Sequence, residues 1–144
     1  RGQGTIVNVA SLLAFAGARP PGPLPVRATY AGTKGFVVAF TRTLAAELAD
    51  TPVRVQVLCP GYTKTEFHMS NGTDPIEGTP PDIHPPIAME AEHVVEASLQ
   101  ALGTGELVCA PGLDDPTAID RLVAAEAEIL TADRATPAAR YAQT

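Results

Sequence analysis

Tyr30 and Lys34 are the two side chains in this sequence whose types and spacing best suit proton transfer. In a helix, residues four positions apart lie about one turn from each other, on the same face. A phenol has an ordinary pKa of about 10, so it acts as a base at neutral pH only when something stabilises its anion. One positive charge about 4 Å away, at an effective dielectric constant of about 20, contributes roughly the 4 kcal/mol required. The pair therefore suits general acid–base chemistry.

This spacing is a weak signal by itself, because a Tyr and a Lys one turn apart occur by chance in many helices. The sequence around the pair predicts a helix over residues 29–49. Large apolar residues recur there every four positions, which predicts one buried stripe in the core. The stripe consists of Phe36, Phe40, Leu44 and Leu48.

Two runs rich in β-branched residues flank this helix, T-I-V-N-V-A at 5–10 and V-R-V-Q-V-L-C at 53–59. The first is typical of a strand buried on both faces. A strand, a helix and a second strand form a βαβ unit, which predicts a parallel sheet with a right-handed crossover. Ligands of such sheets bind beyond the carboxyl ends of the strands. We therefore expect Ser11, residues 60–65 and Tyr30 to meet at one edge of the sheet.

The rest of the chain predicts a helix at 90–102, a third strand at 106–110 and a last helix at 115–130. The apolar residues expected to face inward are Val94, Val95, Leu99 and Leu102 in the first helix, and Ile119, Leu122, Val123, Ala127 and Leu130 in the second. The length of 144 residues favours one domain at most.

Two long stretches have the composition of loops. Residues 12–27 contain four prolines and predict a stiff extended loop, either a surface connection or one wall of a cleft. Residues 62–88 are rich in Thr, Pro, Gly and Asp and predict a long loop, either a lid over the substrate or a disordered segment. His68 and His84 lie in this stretch without further ligands at metal spacing, so no metal site is predicted. Residues 131–144 lack periodicity and predict a frayed tail.

Composition narrows the classes of partner. The net charge is −6 with no cluster of Lys or Arg, which disfavours nucleic acid and anionic membranes. No apolar run is long enough to span a bilayer. Cys59 and Cys109 lie in strand-like runs and are interpreted as reduced, buried thiols of a cytoplasmic protein, with a disulfide as the alternative. Because the first residue is Arg1 rather than Met, we expect the natural beginning to lie upstream.

Three motifs, in this order, resemble those of the short-chain dehydrogenase/reductase family. N-V-A-S at 8–11 resembles the strand that ends in the family's catalytic serine, and Y-A-G-T-K at 30–34 resembles its Tyr/Lys pair. C-P-G-Y-T-K-T-E-F at 59–67 resembles the Pro-Gly turn and the Thr that follows it. The resemblance covers nearly the whole chain but only the second half of the family's domain. It implies an α/β fold, the C-terminal half of a Rossmann-like doubly wound parallel sheet, as one partial domain over residues 1–144.

The resemblance also implies roles for particular residues. Tyr30 would be the general acid/base, Lys34 would favour its phenolate form and bind the nicotinamide ribose, and Ser11 would hold the substrate oxygen. NAD or NADP would be the cofactor. The residues implied to bind it are Tyr30, Lys34, Pro60, Gly61, Thr63 and Thr65, and those implied to bind substrate are Ser11, Leu13 and Tyr62. The partner would be a small carbonyl or alcohol, and the complete protein would be a homodimer or homotetramer.

Two departures from the family pattern leave alternatives open. The spacer between Ser11 and Tyr30 is several residues longer than usual, and no G-x-x-x-G-x-G phosphate loop is present in these 144 residues. The chain could therefore be an oxidoreductase represented by its C-terminal portion, or a non-catalytic remnant or dimerising module. A serine hydrolase built on Ser11 is disfavoured, because the sequence lacks a G-x-S-x-G elbow.

Overall fold

The computed structural model describes residues 2–18, 28–65 and 86–141. These residues form two compact units, one within residues 1–112 and the other within 113–144. The strands are β1 (Gly4–Val9), β2 (Val53–Leu58), β3 (Thr63–Lys64), β4 (Met89–Glu90) and β5 (Val108–Cys109), and the α-helices are α1 (Ala28–Glu47), α2 (Ala91–Thr104) and α3 (Thr117–Leu130). The first unit contains every predicted site residue. The single partial domain over 1–144 stays a prediction.

β1, β2 and β5 form a three-stranded parallel sheet with β2 in the centre. β1 and β2 pair from Gly4 opposite Val53 to Val9 opposite Leu58. Both strands are rich in β-branched residues, which fit a pleated surface well. The long α1 makes the crossover that two parallel strands require. The predicted βαβ unit and the α/β fold class are confirmed.

Two side-chain hydrogen bonds locate α1 and α2 on opposite faces of this sheet. Asn8 Nδ2 donates to Thr41 Oγ1 of α1 at 3.0 Å, and Gln56 Nε2 donates to the Ser98 carbonyl oxygen of α2 at 3.2 Å. Asn8 pairs with Val57, the residue next to Gln56, and successive strand residues face opposite ways. The sheet therefore has helices on both faces, as a doubly wound fold requires.

The sheet is buried mainly around β2 and β5. On the α2 side, Leu58 and Cys109 pack with Val94 and Ala101 in one apolar cluster. Full burial of a Val or Leu side chain stabilises the fold by roughly 1.5–3 kcal/mol. The α1 side buries Val38, Thr41, Val57 and Cys59.

The end of α2 shows how the chain turns from this helix toward β5. Gly105 has φ 79°, the left-handed region in which a residue without Cβ is favoured. The Glu106 N–H donates to the Ala101 carbonyl at 2.8 Å, and the Gly105 N–H donates to that of Leu102 at 3.4 Å. This is the Schellman arrangement that commonly ends a helix. Gly103 lies inside the last turn of the helix.

Several predictions of burial are wrong. In α1 the residues that face inward are Val38 and Thr41, whereas Phe36 and Phe40 are 68% and 49% exposed. The side of α1 that packs carries Val38, Thr41 and Gly35, whose ideal Cβ position is 3.6 Å from the Ala14 carbonyl oxygen. The aromatic stripe lies away from that contact.

The other errors concern β1 and α2. β1 was expected to be buried on both faces, but Ile6, Val7 and Val9 are exposed because β1 is an edge strand among the described residues. In α2, Val94 is buried, while Val95 and Leu99 are exposed. A single apolar periodicity does not separate the sheet-facing residues of a helix from their apolar neighbours.

The second unit contains α3 and a 3₁₀ turn at Ala139–Tyr141. Asp115 precedes α3 and accepts hydrogen bonds from the Thr117 hydroxyl and N–H at 2.6 and 3.0 Å, which lower the pKa of its carboxyl. Ile119 and Leu122 are half-buried. The inward face predicted for Val123, Ala127 and Leu130 is wrong, since all three are exposed.

The predicted loops contain short regular segments. Leu12–Ala18 is a 3₁₀ helix rather than extended chain, because this part of the stretch precedes the prolines. At the edges of the predicted lid, β3 and β4 form a two-stranded parallel pair joined by a Lys64–Glu90 ion pair. Residues 19–27 and 66–85, with both histidines of the predicted lid, lie outside the described residues.

Across the ranges that the structure describes, no helix is both long and apolar enough to cross a membrane. In the same ranges, no three His, Cys, Asp or Glu side chains are grouped as a metal site would need.

Candidate active site

The segments that follow β1 and β2 lie side by side at the carboxyl edge of the sheet. The Ala10 N–H donates to the Leu58 carbonyl at 2.7 Å, and the Leu12 N–H donates to the Pro60 carbonyl at 2.9 Å. Ser11 stands between these two bonds. The structure thus brings Ser11 and the Pro60 turn together, as the βαβ topology predicts.

The Ser11 hydroxyl is oriented by its own segment. Its Oγ accepts a hydrogen bond from the Leu13 N–H at 3.1 Å. A hydroxyl has one proton to donate besides its acceptor lone pairs. Because the Leu13 bond uses a lone pair, the Ser11 proton is available to an acceptor such as a substrate oxygen.

Tyr30 lies in the first turn of α1 and Lys34 one turn later, on the same face. Lys34 Nζ is 5.8 Å from the centre of the Tyr30 ring. The same ammonium donates to the Val9 carbonyl oxygen at 3.1 Å, at the carboxyl end of β1. Lys34 therefore connects the tyrosine to the strand that leads into Ser11.

Close packing holds α1 beside the 3₁₀ helix Leu12–Ala18. Gly35, the residue after Lys34, approaches the backbone of Ala14, and its ideal Cβ position is 3.6 Å from the Ala14 carbonyl oxygen. This is an ordinary van der Waals distance, so α1 and the 3₁₀ helix are in contact at this point. The contact lies next to Lys34 and brings this part of α1 to the segment that contains Ser11.

The turn after β2 is tight where it meets this segment. A Cβ added to Gly61 would lie 3.3 Å from Cδ1 of Leu12, closer than most real Cβ contacts. The Thr63 hydroxyl donates to the Gly61 carbonyl at 3.2 Å, and the Met89 N–H donates to that of Tyr62 at 2.9 Å. Leu13, Tyr62 and Thr63 are half-buried, and Thr65 is exposed.

Cys59 is a neighbour of this site that the motif argument missed. Its thiol is fully buried, and burial is the main cause that raises its pKa from 9.0 to about 11, with Cys109 adding to the shift. The Ser11 N–H, hydrogen-bonded to the thiol, and the charge of Lys34 oppose this shift. At neutral pH Cys59 is therefore an uncharged, buried side chain that lies near Ser11 and Lys34.

Cys59 and Cys109 are both free and buried, as predicted. Cys109 pairs with Leu58, the residue before Cys59. The two thiols consequently point to opposite faces of the sheet. This orientation explains why a disulfide between them does not form.

The hydrogen bond from Asn8 to Thr41 is a second feature that the motifs did not predict. Thr41 is fully buried, and its hydroxyl also donates to the Val37 carbonyl at 2.6 Å. The signal in the sequence is a polar residue at the centre of an apolar strand. Its partner is 33 residues away, so spacing alone could not identify it.

Comparisons with known proteins show which family this chain is similar to. A family model described as short chain dehydrogenase matches residues 1–75. Galactitol 2-dehydrogenase (L-tagatose-forming) of Cereibacter sphaeroides is 44% identical over 67 residues, which are 46% of this chain and 25% of that protein.

Solved structures match almost the whole chain. The short-chain dehydrogenase from Sphingobium yanoikuyae, in complex with NADPH, aligns with a TM-score of 0.79 and 30% identity over 97% of this chain and 50% of that chain. The bulky-bulky ketone specific alcohol dehydrogenase from Comamonas testosteroni aligns with a TM-score of 0.74 and 28% identity over 97% of this chain and 47% of that chain. This chain thus spans about half the length of the solved chains that it matches.

The family model covers more than half of the 144 residues, including the Ser11, Tyr30 and Pro60 segments. The solved structures extend the likeness over the parallel sheet and its helices. The chain therefore belongs to the short-chain dehydrogenase family.

Proposed function

We propose that this chain carries the proton-transfer part of an NAD(P)-dependent oxidoreductase that interconverts a carbonyl and an alcohol. The observation that supports it most is the position of Lys34. Its ammonium is 5.8 Å from the Tyr30 ring centre and 3.1 Å from the carbonyl of Val9, two residues before Ser11. A fixed positive charge between a phenol and a serine segment is what acid–base chemistry at a carbonyl oxygen needs.

In this proposal the three side chains act on one substrate oxygen. During reduction the Tyr30 hydroxyl donates its proton to the carbonyl oxygen, and during oxidation the phenolate takes the alcohol proton. The Lys34 charge stabilises the phenolate. The Ser11 hydroxyl donates a hydrogen bond to the same oxygen, where negative charge develops in the transition state. Leu13 and Tyr62 would line the substrate side of the site.

NAD or NADP is the proposed cofactor, and it supplies or accepts the hydride when bound. The donors present fit the nicotinamide end: the Lys34 ammonium suits ribose hydroxyls, and Thr63 and Thr65 suit a phosphate. Gly61 has little room for a side chain, because an added Cβ would lie 3.3 Å from Leu12 Cδ1, and we propose that the Pro60–Gly61 turn contacts the nicotinamide through its backbone. The NADPH complex of the Sphingobium yanoikuyae relative supports this assignment.

The proposed partners are a small carbonyl or alcohol and further copies of the complete protein. Phe36 and Phe40 stack with ring centres 5.9 Å apart on the exposed side of α1, which supports a homodimer or homotetramer through this helix. Exposed aromatic pairs are frequent at interfaces. The cytoplasmic location stays a prediction.

A second candidate is an association module without turnover of its own. It is favoured by one observation: the chain spans about half the length of the solved chains that it matches. Calorimetry of the chain with NADPH and with NADH separates the two candidates. Tight binding of either nucleotide supports the oxidoreductase, and the absence of both binding and turnover supports the module.

Replacement of Tyr30 tests the oxidoreductase directly. If the chain consumes NADPH or NADH with a panel of ketones, Tyr30→Phe should lower the rate by roughly 10²–10⁴-fold, the usual contribution of a positioned acid–base group. Tyr141→Phe, an exposed tyrosine of the second unit, is the matched control and should keep the rate. Equal rates in the Tyr30→Phe variant and the parent would remove Tyr30 from the mechanism.

A further inference from the structure

β3 and β4 form a short parallel pair beside the turn that follows β2. Thr63 lies opposite Met89, and Lys64 lies opposite Glu90. The Met89 N–H donates to the Tyr62 carbonyl oxygen at 2.9 Å. Two strands without further support are marginally stable at best in water. Any additional contact between β3 and β4 therefore has a large influence on whether the pair stays formed.

β4 is the firmly held member of this pair. Met89 packs against the apolar cluster on the α2 side of the sheet, and Glu90 leads directly into α2. β3 belongs to the segment that contains the Pro60–Gly61 turn. The beginning of this segment is bonded to the site, because the Pro60 carbonyl accepts from the Leu12 N–H at 2.9 Å. The contacts of β3 with β4 hold its other end.

An ion pair between Lys64 and Glu90 links the two strands. The Lys64 ammonium donates to Glu90 Oε1, and the two side chains are 39% and 48% exposed. An exposed ion pair contributes little to the stability of a whole fold. The same contribution is a large part of what keeps a pair of two-residue strands formed. The effect expected of this ion pair is therefore local.

The Glu90 carboxylate is directed to Lys64 rather than to its own helix. Glu90 occupies the N-cap position of α2, where the side chain of Ser, Thr, Asp or Asn usually accepts from a backbone N–H of the first turn. The Glu90 side chain makes no such capping bond. A carboxylate is nevertheless favoured at the positive end of the helix dipole. The start of α2 is thus a favourable place for the carboxylate that binds Lys64.

We propose that the Lys64–Glu90 ion pair keeps β3 paired with β4 and thereby positions Thr63 and Thr65 for the cofactor. Successive residues of a strand face opposite ways, so the ion pair holds β3 without covering the face that carries Thr63. Lys64 and Glu90 are positioning residues in this proposal. Their effect on the cofactor rests on the proposed function, whereas their effect on β3 does not.

Hydrogen exchange of the chain alone tests the effect on β3. The amide of Met89, bonded to the Tyr62 carbonyl, reports whether β3 and β4 are paired. Glu90→Gln keeps the size of the side chain but removes its charge, and it should speed exchange of this amide by about two- to fivefold. Glu92→Gln, in the first turn of α2, is the matched control and should leave the Met89 rate unchanged.

A cycle of variants shows whether the two charges act as one pair. The variant that combines Lys64→Met with Glu90→Gln should exchange at Met89 no faster than the faster single variant. The amide of Val57, bonded to the Leu107 carbonyl in the sheet, should keep the parent rate in all three. Single effects that multiply in the double variant, an unchanged Met89 rate, or equal acceleration at Val57 would each overturn the local role of the ion pair.

Calorimetry with NADPH and with NADH tests the effect on the cofactor separately. Glu90→Gln should raise the dissociation constant of a bound nucleotide by about two- to fivefold, and Glu92→Gln should not. Equal affinities of Glu90→Gln and the parent would overturn the positioning role and leave the proposed function intact. No nucleotide binding by the parent would count against the proposed function and the cofactor role together, while exchange at Met89 would still decide whether the ion pair holds β3.

Discussion

β1 and β2 are built from similar residues but have opposite surroundings. In β2 the last three residues, from Gln56 to Leu58, are buried, while β1 exposes Ile6, Val7 and Val9. Among the residues that the structure describes, β2 has a strand on each side and helices on both faces, whereas β1 pairs with one strand and bonds to one α-helix. Burial in this sheet is thus set by a strand's position more than by its composition.

The two strands also differ in how their amide side chains are used. Gln56 is fully buried, donates to the carbonyls of Ser98 and Glu106, and accepts from the Ser98 hydroxyl at 2.6 Å. The Asn8 amide donates to the Thr41 hydroxyl at 3.0 Å in a partly buried place. The central strand is therefore joined to its neighbours by buried hydrogen bonds and contributes most to stability. The edge strand leads into Ser11 and provides the Val9 carbonyl that binds Lys34.

The largest expected effect on stability is the loss of Gln56. Gln56→Ala removes the acceptor of the buried Ser98 hydroxyl and the donor to the carbonyls of Ser98 and Glu106, and it opens a cavity, so the free energy of unfolding should fall by about 3 kcal/mol. Denaturant unfolding monitored by circular dichroism measures it. Arg54→Ala, an exposed residue of the same strand, is the control, with an expected change within about 0.5 kcal/mol. Equal losses in the two variants would contradict the role of the buried amide.

The next largest effect should be a loss of stability at alkaline pH that is caused by ionisation of Cys59. Its folded pKa of about 11 lies above the ordinary 9.0, so the neutral thiol stabilises the fold below pH 9 and this stability is lost as the pH rises toward 11. By pH 10 the loss should be about 1.4 kcal/mol. The difference in unfolding free energy between the parent and Cys59→Ala isolates this contribution from other groups that titrate there. A difference that stays constant from pH 8 to pH 10 would contradict it.

Much of the fold follows from the sequence because its signals are local. The β-branched runs and the α1 periodicity each lie within one element, and each predicts the observed element to within a few residues. The order of strand, helix and strand alone predicts one shared edge of the sheet for Ser11, Tyr30 and the Pro60 turn.

What the sequence could not supply depends on pairs of residues far apart in the chain. The bond from Gln56 to Ser98 spans 42 residues, and Lys34 reaches the Val9 carbonyl across 25. Phe36 and Phe40 satisfy the helical period, but that period does not say which side of α1 meets the sheet. The side that meets the sheet carries Val38 and Thr41, and the bond from Asn8 to Thr41 that marks it is a property of tertiary packing.

The smallest effect is expected at the amide of the edge strand. Asn8→Ala removes the bond to Thr41, but solvent can reach this place and Thr41 keeps its bond to Val37, so the loss should be about 1 kcal/mol. A double-mutant cycle that combines Asn8→Ala with Thr41→Val measures the coupling free energy between the two side chains, expected at about 0.5–1 kcal/mol. Denaturant unfolding gives the Asn8→Ala loss in the same way as the Gln56→Ala loss, so the two can be compared. An Asn8→Ala loss as large as that of Gln56→Ala would mean that β1 is as firmly packed as β2. The exposure of Ile6, Val7 and Val9 would then not indicate how much β1 contributes to the free energy of unfolding. The conclusion that β2 stabilises the fold more than β1 does would have to be abandoned.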